Sequence, residues 1–109
     1  MKIKNWRKKI DAIDSAMLQL LNLRTELALE VGRLKDERGL SLRVPAREQE
    51  ILSRMKKMNP GPLSGESVAK IYQLILDESI RTQEMHGCGK AGEGQRARAN
   101  GRRRKADAA

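Results

Sequence analysis

A chain of 109 residues with one Cys suits one small domain and excludes a disulfide framework. With no Phe, one Trp and one Tyr, its core must be assembled from Leu, Ile, Val, Met and Ala, a composition that favours helices over sheets. The formal charge of +9 points to an anionic partner and is unevenly placed, since residues 86–109 hold seven Lys or Arg against two Asp or Glu.

The opening "MKIKNWRKKIDAID" is basic but leads into no continuous apolar run. No signal peptide or membrane anchor is therefore expected, and the chain reads as cytoplasmic. From Asn5, a candidate N-cap, to about Arg38 there is no Pro. Apolar residues recur with heptad spacing: Ile3, Trp6, Ile10, Ile13, Met17 and Leu20, then Leu27, Val31 and Leu34. The pattern predicts one long helix. At ~1.5 Å per residue it runs roughly 50 Å, more than the remaining residues can cover, so a second copy of the chain is the natural cover. Position 24 interrupts the seam with Arg. Arg24, Ala28, Val31 and Lys35 share one helical stripe, which turns two cations toward the side that should be buried.

Gly39 suits a helix stop, "LSLRV" a short connector, and Pro45 the first position of a second helix reaching about Met58. Its apolar stripe of Ile51, Met55 and Met58 extends back by one turn to Glu48, with Arg47 beside it. "NPGPLSG" breaks the chain again, and Ser64 is placed to cap a third helix running to about Met85. There the stripe of Val68, Tyr72 and Ile75 continues into Ser79 and Gln83. Three helices (long, short, medium) without a strand candidate predict an all-α fold. Residues 1–85 form its helical domain. Residues 86–109 read as a disordered basic tail rich in Gly and Arg, lacking apolar periodicity.

The inward-facing polar candidates are thus Arg7, Arg24, Lys35, Arg47, Glu48, Ser79 and Gln83. Each alone has a plainer explanation. Arg7 and Arg47 fit a solvated helix surface, and Lys35 fits the end of a helix dipole. Arg24 with Glu48 fits a structural ion pair, Ser79 can bond back to its own helix, and Gln83 can lie at the surface. Together, four cations against one anion on apolar faces imply a buried site for a small molecule carrying about two negative charges. Carboxylates match the Arg fork best.

The segments "WRKKIDAIDSAMLQLLNLRTELALEVGRLK", "VPAREQEIL" and "IYQLILDESIRTQ" resemble, over about residues 5–85, the all-helical AroQ class of chorismate mutases. Those enzymes rearrange chorismate to prephenate on the route to Phe and Tyr. The resemblance implies an intertwined homodimer whose long helices build two equivalent sites. In each, Arg24 and Lys35 hold the substrate and Arg7 of the partner subunit reaches across. It also implies that Arg47 adds positive potential near a carboxylate, Glu48 accepts from the ring hydroxyl, and Ser79 contacts the carboxylate region. Lys35 and Gln83 would donate to the ether oxygen. Val44 departs from relatives that place an acid near the ring hydroxyl. Some relatives continue into a second enzyme domain, whereas here the basic stretch follows, so only the mutase step is expected.

That chemistry calls for no metal, cofactor or nucleophile. His86 and Cys88 read as a solvent-exposed pair without a role. Met55, Met58 and Met85 read as core or end packing, and Tyr72 as core with its hydroxyl near an edge. Two other functions compete: isochorismate pyruvate-lyase on the same scaffold, and a basic helical dimer binding nucleic acid. "RARANGRRRK" lacks interleaved aromatics, so any nucleic-acid binding through it would be non-specific.

Overall fold

The structure, a computed structural model, describes residues 2–89, among which are three α-helices and no strand: α1 (Ile3–Glu37), α2 (Pro45–Met58) and α3 (Gly65–Met85). The remainder of the basic stretch, from Lys90 onward, lies outside the described residues. The all-α expectation holds, and the boundaries of α2 and α3 fall where Pro45 and Ser64 place them. Ser64 Oγ accepts from Ser67 N at 3.0 Å, giving α3 a side-chain N-cap. α1 starts earlier than expected: Lys2 occupies the cap position without a side-chain bond, so Asn5 lies inside the helix. Its first turn is open to water, which satisfies the free amides in place of a cap.

α1 stops at Gly39, whose φ of 66° suits a residue without Cβ. Leu40 N donates to Lys35 O at 2.8 Å and Gly39 N to Asp36 O at 3.1 Å, closing the last turn in the Schellman manner. The chain then reverses, and α3 packs both on α2 and on the C-terminal half of α1. A thin core of Ala28, Leu40, Leu42, Ile51, Val68 and Leu76 lies between them. Met58 and Met85, expected as packing residues, are 67% and 73% exposed, because each is the last residue of its helix and projects beyond its neighbours. Tyr72 is half-buried.

The N-terminal half of α1 has no such cover. Residues 2–23 are exposed throughout, and the seam residues Ile3, Trp6, Ile10, Ile13, Met17, Leu20, Leu27 and Leu34 are each 49–68% exposed. The radius of gyration is 17.4 Å, against about 13 Å for a compact domain of this length. The longest extent of 63 Å is set by the protruding helix. Beside its base, Met17, Leu20, Leu21 and Arg24 of α1 face Leu63, Val68, Ile71, Tyr72 and Ile75 across an apolar groove of about 840 Å³, counting its open mouth. No helix among the described residues is long and apolar enough to cross a membrane.

Candidate active site

Where α1, α2 and α3 meet, the interior is polar. Lys35 and Gln83 are each 3% exposed and Ser79 is 8% exposed, a depth usually reserved for apolar side chains. The helical stripe explains how they arrive there. Ala28, at 0% exposure, and Gly32 bring the backbones of α1 and α3 close, and Arg24 and Lys35 flank that contact one turn beyond on either side. Lys35 Nζ donates to Leu42 O at 2.7 Å, tying the connector to α1. Arg24 Nη1 donates to Ser79 Oγ at 3.0 Å. Burial moves the Arg24 guanidinium below its ordinary value; Tyr72 opposes the shift and Arg47 adds to it.

Gln83 Nε2 donates to Ala28 O at 2.6 Å, while Gln83 Oε1 is buried and accepts no hydrogen bond from the described residues. An unsatisfied buried acceptor costs about 1–3 kcal/mol. Gln83 lines a recess of about 340 Å³, counting the open mouth, together with Lys35, Val44, Glu48, Ile51 and Ser79, with Leu42, Leu76 and Ile80 completing its walls. Only about 20 Å³ of it has room for the centre of a water molecule, roughly one water's worth. The polar groups have closed on one another, so a guest must exchange internal hydrogen bonds for its own.

Four of the seven sequence-derived residues, Lys35, Glu48, Ser79 and Gln83, therefore line one recess, and Arg24 adjoins it through Ser79. The plainer explanations fail for these. Gln83 is not at the surface, Ser79 accepts from another helix, and Lys35 is enclosed rather than spread over a helix end. Glu48 is held by another cation. Arg43 Nε donates to Glu48 Oε2 at 2.8 Å, and Arg43 Nη2 also pairs with Asp77. These bonds hold Arg43 above its ordinary value and, together with Gln73, hold Asp77 below the usual carboxylate value. Arg47 is half-buried beside the site, with Nη1 on Glu50 at 2.6 Å. Arg7 is exposed on the protruding half of α1, about 25 Å along the helix from Arg24 at ~1.5 Å per residue.

Sequence reasoning missed Arg43, Asp77, Gly32 and the carbonyls of Ala28 and Leu42. Arg43 lies in a connector, where no periodicity exposes its direction, and backbone acceptors carry no side-chain signal. It also misplaced Cys88. The thiol is buried at 4% exposure and burial raises it above its ordinary value, with Asp36 adding to the shift. His86 is exposed. Residues 86–89 form turns that fold back onto α1, which is why Cys88 is covered.

Comparison with known proteins fits this geometry. A family model described as chorismate mutase type II matches residues 6–84. The chorismate mutase of Methanocaldococcus jannaschii is 31% identical over 86 residues, covering 78% of this chain and 87% of that protein. The bifunctional chorismate mutase/prephenate dehydratase of Aquifex aeolicus is 34% identical over 86 residues, but the chain spans only 24% of its length. A solved structure of chorismate mutase (form II) from Thermus thermophilus superposes with a TM-score of 0.75 at 36% identity, covering 77% of this chain and 96% of that one. By its sequence match, its helical fold and the agreement of both with a whole stand-alone mutase, the chain belongs to the chorismate mutase type II family.

Proposed function

We propose that this chain converts chorismate to prephenate by an intramolecular [3,3] rearrangement, with residues 1–85 as the catalytic domain and a cytoplasmic location. The observation that carries the reading is a buried cation and a buried amide, Lys35 and Gln83, sharing one recess in a chain of this family.

In the rearrangement the ether C–O bond breaks as a C–C bond forms between the enolpyruvyl methylene and the ring. No proton, electron or leaving group departs. The protein's task is to fold the flexible arm over the ring and to stabilise charge on the ether oxygen. Arg24, with five N–H donors in a fork, suits one carboxylate once its bond to Ser79 is shared with the guest. The ammonium of Lys35 carries three protons and gives one to Leu42 O. The amide nitrogen of Gln83 carries two and gives one to Ala28 O. An N–H of each, turned onto the ether oxygen, meets developing charge there, which makes the bond stronger in the transition state than in the ground state. Glu48, oriented by Arg43, accepts from the ring hydroxyl. Arg47 adds positive potential, and the backbone of Val44 lines the hydroxyl side.

The site is completed by a second copy of the chain. Its α1 would cover the exposed seam and carry Arg7 to the recess. Burying eight half-exposed apolar side chains contributes on the order of 10 kcal/mol before the cost of association. Incubating the purified protein with chorismate and identifying prephenate, after acid conversion to phenylpyruvate, tests the reading. Pyruvate released from isochorismate without prephenate from chorismate would replace it with the lyase. Turnover of neither, with nucleic acid bound in its place, would leave a binding protein.

A further inference from the structure

We propose that the turn His86–Gly89 is a positioning element for Gln83, with Cys88 as the residue that keeps its amide seated on α1. The proposal rests on the donor role given to Gln83 above.

α3 ends at Met85, and the next four residues do not leave the bundle. His86 N donates to Thr82 O at 3.1 Å, Gly87 N to Glu84 O at 3.0 Å, and Cys88 N to Gln83 O at 2.9 Å. Gly87 and Gly89 adopt φ of 90° and 88°, values that L side chains disfavour, and the turn at Gly87 brings the chain back toward α1. Gly89 N then donates to Asp36 Oδ1 at 2.7 Å, anchoring the far end of the turn on α1.

Two side chains converge where α1 has none. A Cβ at position 32 would lie 2.9 Å from Cys88 Sγ and 3.2 Å from Gln83 Nε2, so glycine at this position admits thiol and amide together. Cys88 is 4% exposed and fills the space beside the amide, which is held on its other side by Ala28 O. The backbone of Gln83 is held by the same turn through Cys88 N. A side chain with three rotatable bonds before its amide is thereby reduced to one placement. Fixed donors of this kind give electrostatic catalysis its magnitude. Without the thiol, the amide gains a void to swing into, and its free N–H no longer keeps one direction.

The test uses the full chain and a double-mutant cycle. Cys88→Gly is expected to lower kcat roughly 10- to 100-fold, the scale of loss from an ångström of misplacement, with KM changed by less than about threefold. Cys88→Ser, nearly the same size, is expected to restore most of kcat. In a Gln83→Ala background, Cys88→Gly is expected to add no further loss, since the amide it positions is gone. Equal fold losses in both backgrounds, or full kcat in a folded Cys88→Gly protein, would overturn the proposal. Where the wild-type protein does not turn over chorismate, the donor role fails, and the side-chain amide resonance of Gln83 judges the clasp alone. That resonance should be sharp and slow to exchange in the wild type and fast to exchange in Cys88→Gly. Identical exchange in both would sink the clasp.

Discussion

Arg24 and Ser79, 55 residues apart in sequence, meet through a hydrogen bond of 3.0 Å from Nη1 to Oγ. That bond closes α1 onto α3 at the point where the apolar seam of α1 is interrupted. It explains why a cation tolerates a seam position: its fork has a partner inside the chain, and a guanidinium keeps its charge where other cations give theirs up. The same bond marks the edge of the recess, so a carboxylate arriving there competes with the Ser79 hydroxyl, a weak rival for a guanidinium.

Lys35 should separate activity from stability. Lys35→Met removes a buried cation and keeps its aliphatic length, so the relief of desolvation offsets the donor lost to Leu42 O. We expect the melting temperature to shift by only a few degrees while kcat falls about 100- to 1,000-fold, the loss typical of one transition-state donor. Calorimetry and initial rates on the same preparation check both halves. Parallel collapse of the two would make Lys35 a structural residue.

Because an amide donates without titrating, the wild-type rate should show no titration at Gln83 between about pH 6 and 9. Gln83→Glu should behave differently. A carboxyl donates only when protonated, so activity is retained below its folded pKa and lost as pH rises through it. Burial favours the neutral form and moves that limb upward. A pH–kcat profile checks this, and matching flat profiles for both proteins would remove position 83 from the chemistry.

The bridge from Arg43 to Glu48 and Asp77 predicts a pH signature of its own. Arg43 holds Asp77 below the ordinary carboxylate value. A depressed value stabilises the fold above the unfolded pKa of about 3.9. That stabilisation disappears as pH falls through the lower folded value. Arg43→Ala should therefore melt below the wild type at pH 7, and the two melting curves should converge as pH falls well below the ordinary carboxylate range. A gap that persists in acid would mean Arg43 acts through packing.

Shared sites make a prediction that no single-chain site can match. Arg7→Ala and Arg24→Ala homodimers should both be nearly inactive, whereas unfolding and refolding them together should restore activity. A heterodimer would regain one intact site, with Arg7 from one chain and Arg24 from the other. Rates measured across mixing ratios, with heterodimers verified by native mass spectrometry, test it. Heterodimers without recovered activity would argue against Arg7 crossing between subunits.

What could be read in the sequence follows from what periodicity encodes. Pro45, Gly39 and Ser64 marked the helix boundaries because each has a backbone reason to stand there. Arg24, Lys35, Ser79 and Gln83 could be identified because a polar residue in an apolar stripe has a known direction. Arg43 had none, lying in a connector. Cys88 was misread because "GCGK" has the composition of a tail, and the positive φ of Gly87, which brings it back onto Gly32, leaves no periodic signal. Asn5 looked like a cap, but a first turn open to water does not need one.

The most direct test is chorismate turnover by wild-type and Arg24→Ala proteins side by side, with prephenate identified as product and helix content matched by circular dichroism. The account predicts catalysed prephenate formation by the wild type and a loss of at least about 100-fold in the variant, without unfolding. Equal rates for the two folded proteins, or a wild type no faster than the uncatalysed reaction, would contradict it.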